Sequence, residues 1–305
     1  MARPSTAHSS SFSANGHLPE PEPANAEGTP TTVPLIPSTH DEDEDDDGPQ
    51  FDFKLLNKRF PSSAATVPYD ATLLRTGSRS LSSIGEQSFG CGFMFGICLL
   101  LTFYLARDQQ NPIWRLPAFL ACLSLFHFLE YYITARYNLP TVRASSFLLF
   151  NNGTAYNIAH TCAALEIIVT RYKYPNFQRL YVSPTSIAVG FAIVVVGQMA
   201  RSTAMAQAGT NFNHTPQQTR KQGHELVTHG IYSWSRHPSY FGFFWWALGT
   251  QLLVGNKVCL VGYALVLWRF FYTRIQAEER TLVQFFGDDY RAYRKRVGTR
   301  IPFVP

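Results

Sequence analysis

The sequence predicts an all-α protein, a polytopic membrane bundle of about six transmembrane helices whose last two form a tight helical hairpin. Three observations predict it. Apolar runs of spanning length, roughly 17 to 25 residues each, recur from Ser88 onward. The chain is 46% hydrophobic and 14% aromatic over 305 residues. Its lysines and arginines gather outside those runs, as they do around membrane helices.

Taken in order, residues 1–65 are rich in Pro, Ser, Thr and acid, with an acidic run from Asp41 to Asp47. Such a segment buries too little apolar surface to offset its ordering entropy, so a disordered tail is expected. No apolar run follows Met1, and insertion is expected to rely on a later span. Residues 66–87 read as a linker or interfacial segment, and Phe51 to Phe60 as a linker rather than a short interfacial helix. Residues 88–206 hold four simple spans: Gly90 to Ala106, Ile113 to Tyr132, Ser146 to Thr170 and Ile187 to Ala204. Residues 207–305 form the expected catalytic region, with a polar loop, a hairpin and a C-terminal helix. The hairpin arms, Tyr240 to Val254 and Val258 to Tyr272, are joined only by Gly255, Asn256 and Lys257. About 15 residues of helix reach ~23 Å, short of a hydrocarbon core of ~30 Å. The arms must therefore start or finish in the interface or in protein.

An even number of spans puts both ends on one side. That side carries Lys54, Lys58, Arg59, Arg75 and Arg79 before the first span and Arg291, Arg294, Lys295, Arg296 and Arg300 after the last. Arg107, Arg171, Lys173 and Arg179 fall on the other. The excess predicts cytosolic termini and a cytosolic loop from Gln207 to Arg236. The net charge of +5 is thus a topology signal, and no motif supports nucleic-acid binding. Five cysteines, Cys91, Cys98, Cys122, Cys162 and Cys259, lie in or beside apolar runs without a C-x-x-C pair, so buried free thiols are expected. His224, Glu225 and His229 miss the H-E-x-x-H zinc spacing by one residue, which turns the second His to another helix face. No metal is expected.

The polar groups at membrane depth, His127, Glu130, Asn157, His160 and Glu166, read first as interhelical hydrogen bonds that fix the bundle. Arg236-His237-Pro238-Ser239-Tyr240 says more. Pro238 suits the first turn of a helix, which puts His237 beside a helix N-terminus whose free N–H groups attract an anion such as a carboxylate. Upstream, Leu226 to Tyr232 reads as an extended segment turning at Gly230, able to lay backbone groups along a flat ligand. Gly242 and Gly249 share a face where another backbone or a ligand can approach. Arg274 and Glu278, four apart, also share a face. The first could clamp a carboxylate, and the second could hold a cation or ribose hydroxyls.

The strings GTNFNH (Gly209 to His214), HELVTHGIYSWSRHPSYFGFFWWALGTQLLVGN (His224 to Asn256), WRFFYTRIQAEER (Trp268 to Arg280), FFGDDY (Phe285 to Tyr290) and IPF (Ile301 to Phe303) together resemble isoprenylcysteine carboxyl methyltransferases. The resemblance runs from about Ser88 to Phe303 and excludes the tail. It implies a multi-pass endoplasmic-reticulum membrane enzyme that transfers a methyl group from S-adenosylmethionine to the α-carboxylate of a C-terminal prenylcysteine left by C-a-a-X processing. By position in the family pattern, Gln217, His224, Glu225, Leu226, Val227, Tyr232, His237, Pro238, Ser239, Tyr240 and Glu278 match cofactor contacts, Glu225 through its backbone. Arg274 matches the residue that binds the substrate carboxylate.

Two other classes share part of this pattern. Sterol reductases have a similar C-terminal segment but use a nicotinamide cofactor. Phospholipid N-methyltransferases keep the methyl donor but need a neutral amine acceptor, beside which Arg274 would be out of place.

Overall fold

The computed structural model describes residues 70–108, 112–174, 176, 182–215, 217, 219–220 and 222–305. The acidic tail, the segment from Phe51 to Phe60 and the cations Lys54, Lys58, Arg59 and Arg179 lie outside the described residues. Among the described residues every regular element is helical. The long helices are α1 (Leu81–Leu105), α2 (Arg115–Tyr137), α3 (Thr154–Lys173), α4 (Pro184–Ala208), α5 (Pro238–Leu253) and α6 (Val258–Arg296).

Local chemistry sets their ends. The Ser80 side chain accepts from Ser83 N–H and caps α1, which begins well before the predicted start at Gly90. The polar stretch Ser82 to Ser88 hid this first part from an apolar count. Ser183 and Ser186 form a capping box at α4, with Pro184 in its first turn. The largest departure is at the third predicted span. Residues 146–153 do not continue α3: a short 3-10 turn, Ala144–Phe147, ends at Leu148 in the left-handed region (φ 57°). Asn152 Nδ2 then donates to the Leu148 carbonyl at 2.9 Å. Gly153, with φ 83°, leads into the helix at Thr154. The run Asn151-Asn152-Gly153 is strong turn chemistry set inside apolar residues, and it wins over hydropathy.

Among the described residues four helical segments are long and apolar enough to cross a membrane: Leu81–Leu105, Pro112–Tyr137, Pro184–Asn211 and Val258–Arg296. α3 is diluted by His160, Glu166, Arg171 and Lys173, and the 16 residues of α5 reach only ~24 Å. On α1, Phe89, Leu100, Phe103 and Tyr104 stand exposed, as a lipid-facing helix requires. Cys91 and Cys98 are buried, but Cys162 is exposed, so the expectation of buried thiols fails there.

Two pairs of glycines join α4 to α5. A Cβ on Gly197 would collide with the backbone of Trp246 and Gly242, and one on Gly242 with the backbone of Arg201 and Gly197. Gly190 meets the backbone of Leu253, and Gly249 that of Val194, in the same way. Gly190 and Gly197 thus repeat the seven-residue spacing of Gly242 and Gly249, and the two helices touch backbone to backbone along matched faces.

Polar groups hold the turn of the hairpin. The Glu166 carboxylate accepts from the N–H groups of Lys257, Val258 and Cys259 at 2.7, 3.0 and 2.6 Å, supplying from α3 the cap that α6 lacks in its own sequence. Arg115 donates to the Val254 carbonyl and, at 3.3 Å, to Asn256 Oδ1. Asn256 Nδ2 donates to Ala163 O and Gln251 Oε1. The end of the hairpin is therefore fixed to α2 and α3, which sets where its other end stands. That other end carries the candidate site.

Candidate active site

α5 opens at Pro238, and α6 continues past its apolar half to Arg296, with one break at Gly287 (φ 56°, ψ −125°). Gly287 has open space around it, so its backbone conformation, which costs a residue with a side chain dearly, is what calls for glycine. The break brings Tyr290 and Tyr293 back against the 224–232 segment, where Tyr293 Oη donates to the Tyr232 carbonyl at 2.6 Å. Gly230, with φ 58°, turns that segment as its sequence suggests, and Ile231 N–H donates to Gln207 Oε1 at 2.7 Å.

These elements enclose one cleft. Its lining includes Gln217, His224, Glu225, Leu226, Val227, Tyr232, His237, Pro238, Ser239, Tyr240 and Glu278, all eleven of the residues singled out for cofactor contact. Chemistry differs along its length. At the start of α5 stand Pro238, which has no N–H, and Ser239, whose N–H precedes the first helical bonds, those of Tyr240 and Phe241 to the His237 carbonyl at 3.1 and 3.0 Å. Glu278 accepts from Tyr240 Oη at 2.7 Å. At the other end the His224 ring packs edge-on to Phe285 and Phe286, with centroids 5.8 and 5.3 Å apart. The Glu225 side chain is exposed, and its backbone N–H is taken by Asn211 Oδ1 at 3.0 Å.

Arg274 does not line the cleft but stands one bond behind it. Its Nε donates to Tyr240 Oη at 3.3 Å and its Nη2 to the His214 carbonyl at 2.6 Å, and among the described residues Nη1 makes no hydrogen bond. Arg274 and Glu278 do share a face, yet they are joined through the Tyr240 hydroxyl rather than by direct pairing.

Sequence reading missed what fixes this arrangement. Glu279, next to Glu278 but turned inward, is only 2% exposed and gathers three basic side chains: Arg236, His237 through Nε2 at 3.2 Å and Arg294 through Nε at 3.1 Å. Arg236 also donates to the carbonyls of Val297 (2.7 Å) and Pro305, tying the chain end beneath α5. So Arg236 and His237, read as groups beside an anion site, spend their side chains on Glu279. Glu130, read as general bundle glue, is paired with Arg201, whose Nη2 reaches Glu130 Oε2 at 2.7 Å and whose Nη1 reaches Ser239 Oγ at 3.0 Å. This pair links α2 and α4 to the first turn of α5. The apolar wall of Leu282, Phe285, Phe286, Tyr290 and Tyr293 was also overlooked. The string FFGDDY signalled Phe285, Phe286 and Tyr290 but neither Leu282 nor Tyr293.

Two loop groups titrate unusually. Burial holds the His214 imidazole below its ordinary value, against the pull of Glu130 and with Arg201 and Arg274 adding to the depression. It is therefore neutral at pH 7, and its 3.6 Å approach to Glu130 is not an ion pair. Burial pushes the Tyr232 phenol well above the ordinary tyrosine value, and its Oη donates to Ala204 O at 3.2 Å.

The donor set fits S-adenosylmethionine, the methyl donor that the resemblance implies. An anion-binding helix start, a carboxylate and an aromatic end match its carboxylate, its cationic or hydroxyl groups and its flat base, respectively.

Comparison with known proteins finds isoprenylcysteine methyltransferases. Residues 188–284 match the model of the isoprenylcysteine carboxyl methyltransferase (ICMT) family. The protein-S-isoprenylcysteine O-methyltransferase of Saccharomyces cerevisiae is 48% identical over 209 residues, 68% of this chain and 87% of that protein. Its Homo sapiens counterpart is 41% identical over 214 residues, 70% of this chain and 72% of that one. A solved eukaryotic intramembrane Ras methyltransferase of the ICMT type superposes with a TM-score of 0.63 at 35% identity, over 69% of this chain and 74% of that one.

Proposed function

This chain belongs to the isoprenylcysteine carboxyl methyltransferase family, and on that premise we propose how its cleft performs the family reaction. The protein is a membrane enzyme that methylates the C-terminal α-carboxylate of prenylated cysteine. The methyl donor is S-adenosylmethionine, held by the eleven cleft residues, and the acceptor carboxylate is held by Arg274. The single observation that carries this reading is the linkage Arg274–Tyr240–Glu278, which sets a guanidinium one hydroxyl away from the cleft wall.

When bound, S-adenosylmethionine supplies a methyl group activated by a positively charged sulfur. The protein then has little proton chemistry to do, because an α-carboxyl group with a pKa of ~3.5 is already ionised at neutral pH. Its task is positioning and desolvation. Arg274 is held at Nε and Nη2, so Nη1 can take one carboxylate oxygen and leave the other to attack. Glu278 and the first turn of α5 offer negative and positive ends to the donor. Tyr240 couples the two halves, since its hydroxyl receives from Arg274 and donates to Glu278. The aromatic wall and the folded-back Tyr290 and Tyr293 exclude water, in which a carboxylate is a poor nucleophile. Soluble donor enters from the aqueous side and the prenyl chain from the bilayer.

This reading places the enzyme in the endoplasmic-reticulum membrane with both termini cytosolic, acting on proteins processed at C-a-a-X ends. The test is methyl transfer from labelled S-adenosylmethionine to N-acetyl-S-farnesylcysteine in membranes carrying the chain, with the carboxyl-amidated analogue as control. Base-labile label on the free acid alone is expected. Label on both acceptors, or on neither while folded protein is present, would contradict it.

A further inference from the structure

The 230–241 segment serves two surfaces. Tyr232, His237 and Tyr240 line the cleft, whereas Ile231, Trp234 and Phe241 line a second opening with Val196, Met199 and Thr203 of α4. This second opening is a groove of about 420 Å³, wide open and apolar. Val196 and Met199 are 56% and 63% exposed on a helix apolar enough to span a membrane, so the groove lies where acyl chains run.

A cation stands on one of the groove's own residues. The Trp234 indole, 45% exposed, packs edge-on to Phe241 at 4.8 Å and carries the Arg300 guanidinium 5.7 Å from its ring centre. Arg300 Nε donates to the Trp234 carbonyl at 3.1 Å, which fixes the guanidinium while leaving both Nη atoms for another acceptor. Among the described residues no carboxylate pairs with it. Its backbone is left-handed, φ 61°, a conformation that disfavours any residue with a side chain, and Phe303, left-handed too at φ 58°, stands 90% exposed three residues on. Folding alone would favour glycine at 300, so the arginine has a use that offsets its strain. Lys295 and Arg296, both exposed, add positive charge to the same chain end.

We propose that this corner binds an anionic phospholipid, with an acyl chain along Val196, Met199 and Thr203 and the phosphate on Arg300 beside Trp234. A guanidinium matches phosphate oxygens in a forked geometry. Indole rings settle at the level of lipid headgroups, and basic residues near the bilayer surface favour anionic over zwitterionic lipid. No residue lines both this groove and the cleft, and the proposal stands whether or not the reaction is as described above.

The test uses the full chain, stripped of lipid in detergent, then equilibrated with equal amounts of phosphatidylcholine and phosphatidylserine of identical chains. Retained lipid is read by mass spectrometry, with no donor or acceptor present. Several-fold retention of phosphatidylserine over phosphatidylcholine is expected. Arg300→Gly should abolish that preference while unfolding no earlier than the parent, because glycine adopts the local backbone without strain. Arg300→Lys should keep most of it. Thr203→Trp, which fills the groove, should lower retention of both lipids. Equal retention by the parent, or an unchanged preference in Arg300→Gly, would overturn the proposal. So would displacement by millimolar inorganic phosphate, which would mark a simple anion site, or by N-acetyl-S-farnesylcysteine, which would give the groove to the acceptor.

Discussion

The two ends of the α5–α6 hairpin use the same residue types to opposite purposes. At the turn, Glu166, Gln251 and Asn256 are spent on backbone and on one another, Glu166 alone takes three N–H groups, and Arg115 uses Nε and Nη2 while its buried Nη1 has no partner among the described residues. At the open end, Arg274, Glu278 and Tyr240 form a shorter chain that lines or backs a cleft and keeps Arg274 Nη1 uncommitted. Buried charge is costly unless partnered, and nearly all of the turn's hydrogen-bonding capacity goes into holding the hairpin. The open end keeps binding capacity because neighbours such as Glu279 and the Glu130–Arg201 pair hold it in place. Left-over hydrogen-bonding capacity therefore points to function where it stands behind a cleft, as at Arg274, and not where it is enclosed, as at Arg115 Nη1.

This contrast is sharpened by breaking each end in turn. The largest effect is expected from Glu166→Ala, which strips three N–H groups of their acceptor and should lower stability by about 3 kcal/mol. Thermal unfolding in detergent micelles reads it, and the fraction still folded should bind cofactor normally. Next comes Gly197→Ala, whose Cβ meets the backbone of Trp246 and Gly242. About 2 kcal/mol of destabilisation is expected from such overpacking, seen as a lower unfolding midpoint. Glu278→Gln should leave the midpoint almost unmoved and raise the cofactor Kd about tenfold, or ~1.4 kcal/mol, by calorimetry.

The smallest effect concerns pH. His214 is held below its ordinary value of 6.5 in the folded chain, so the unfolded chain takes up the proton first as pH falls. Its share of stability is present above that value and is lost as pH drops toward the folded one. Unfolding midpoints of His214→Phe should therefore fall less steeply below pH 6.5 than those of the parent.

Much of the open end was legible from short local signals and from the family pattern, although its parts meet across 34 to 61 residues. Pro238 announces the helix start, Gly230 the turn and the Arg274/Glu278 spacing a common face, and the structure gathers all the singled-out cofactor residues around one cleft. The closed end was not. Glu166 caps a helix 91 to 93 residues away, and Glu130 and Arg201 meet across 71 residues, separations at which no local period gives a signal. Arg201 sits inside an apolar run whose hydropathy absorbed it. Gly190 and Gly197 were overlooked for a similar reason, since their meaning lies in the matching pair on α5. At the third span an Asn-Asn-Gly turn was overruled by the leucines and phenylalanines before it, and the structure restores it.

The most direct test of the division of labour at the open end is a paired measurement on Arg274→Ala: the S-adenosylmethionine Kd by calorimetry, and the methyl-transfer rate to N-acetyl-S-farnesylcysteine on the same preparation. The geometry predicts a Kd within about twofold of the parent and a rate lower by ~10²-fold or more, the scale of losing one donor to the reacting oxygens. A Kd weakened by as much as the rate would contradict it, and would move Arg274 from the acceptor to the cofactor.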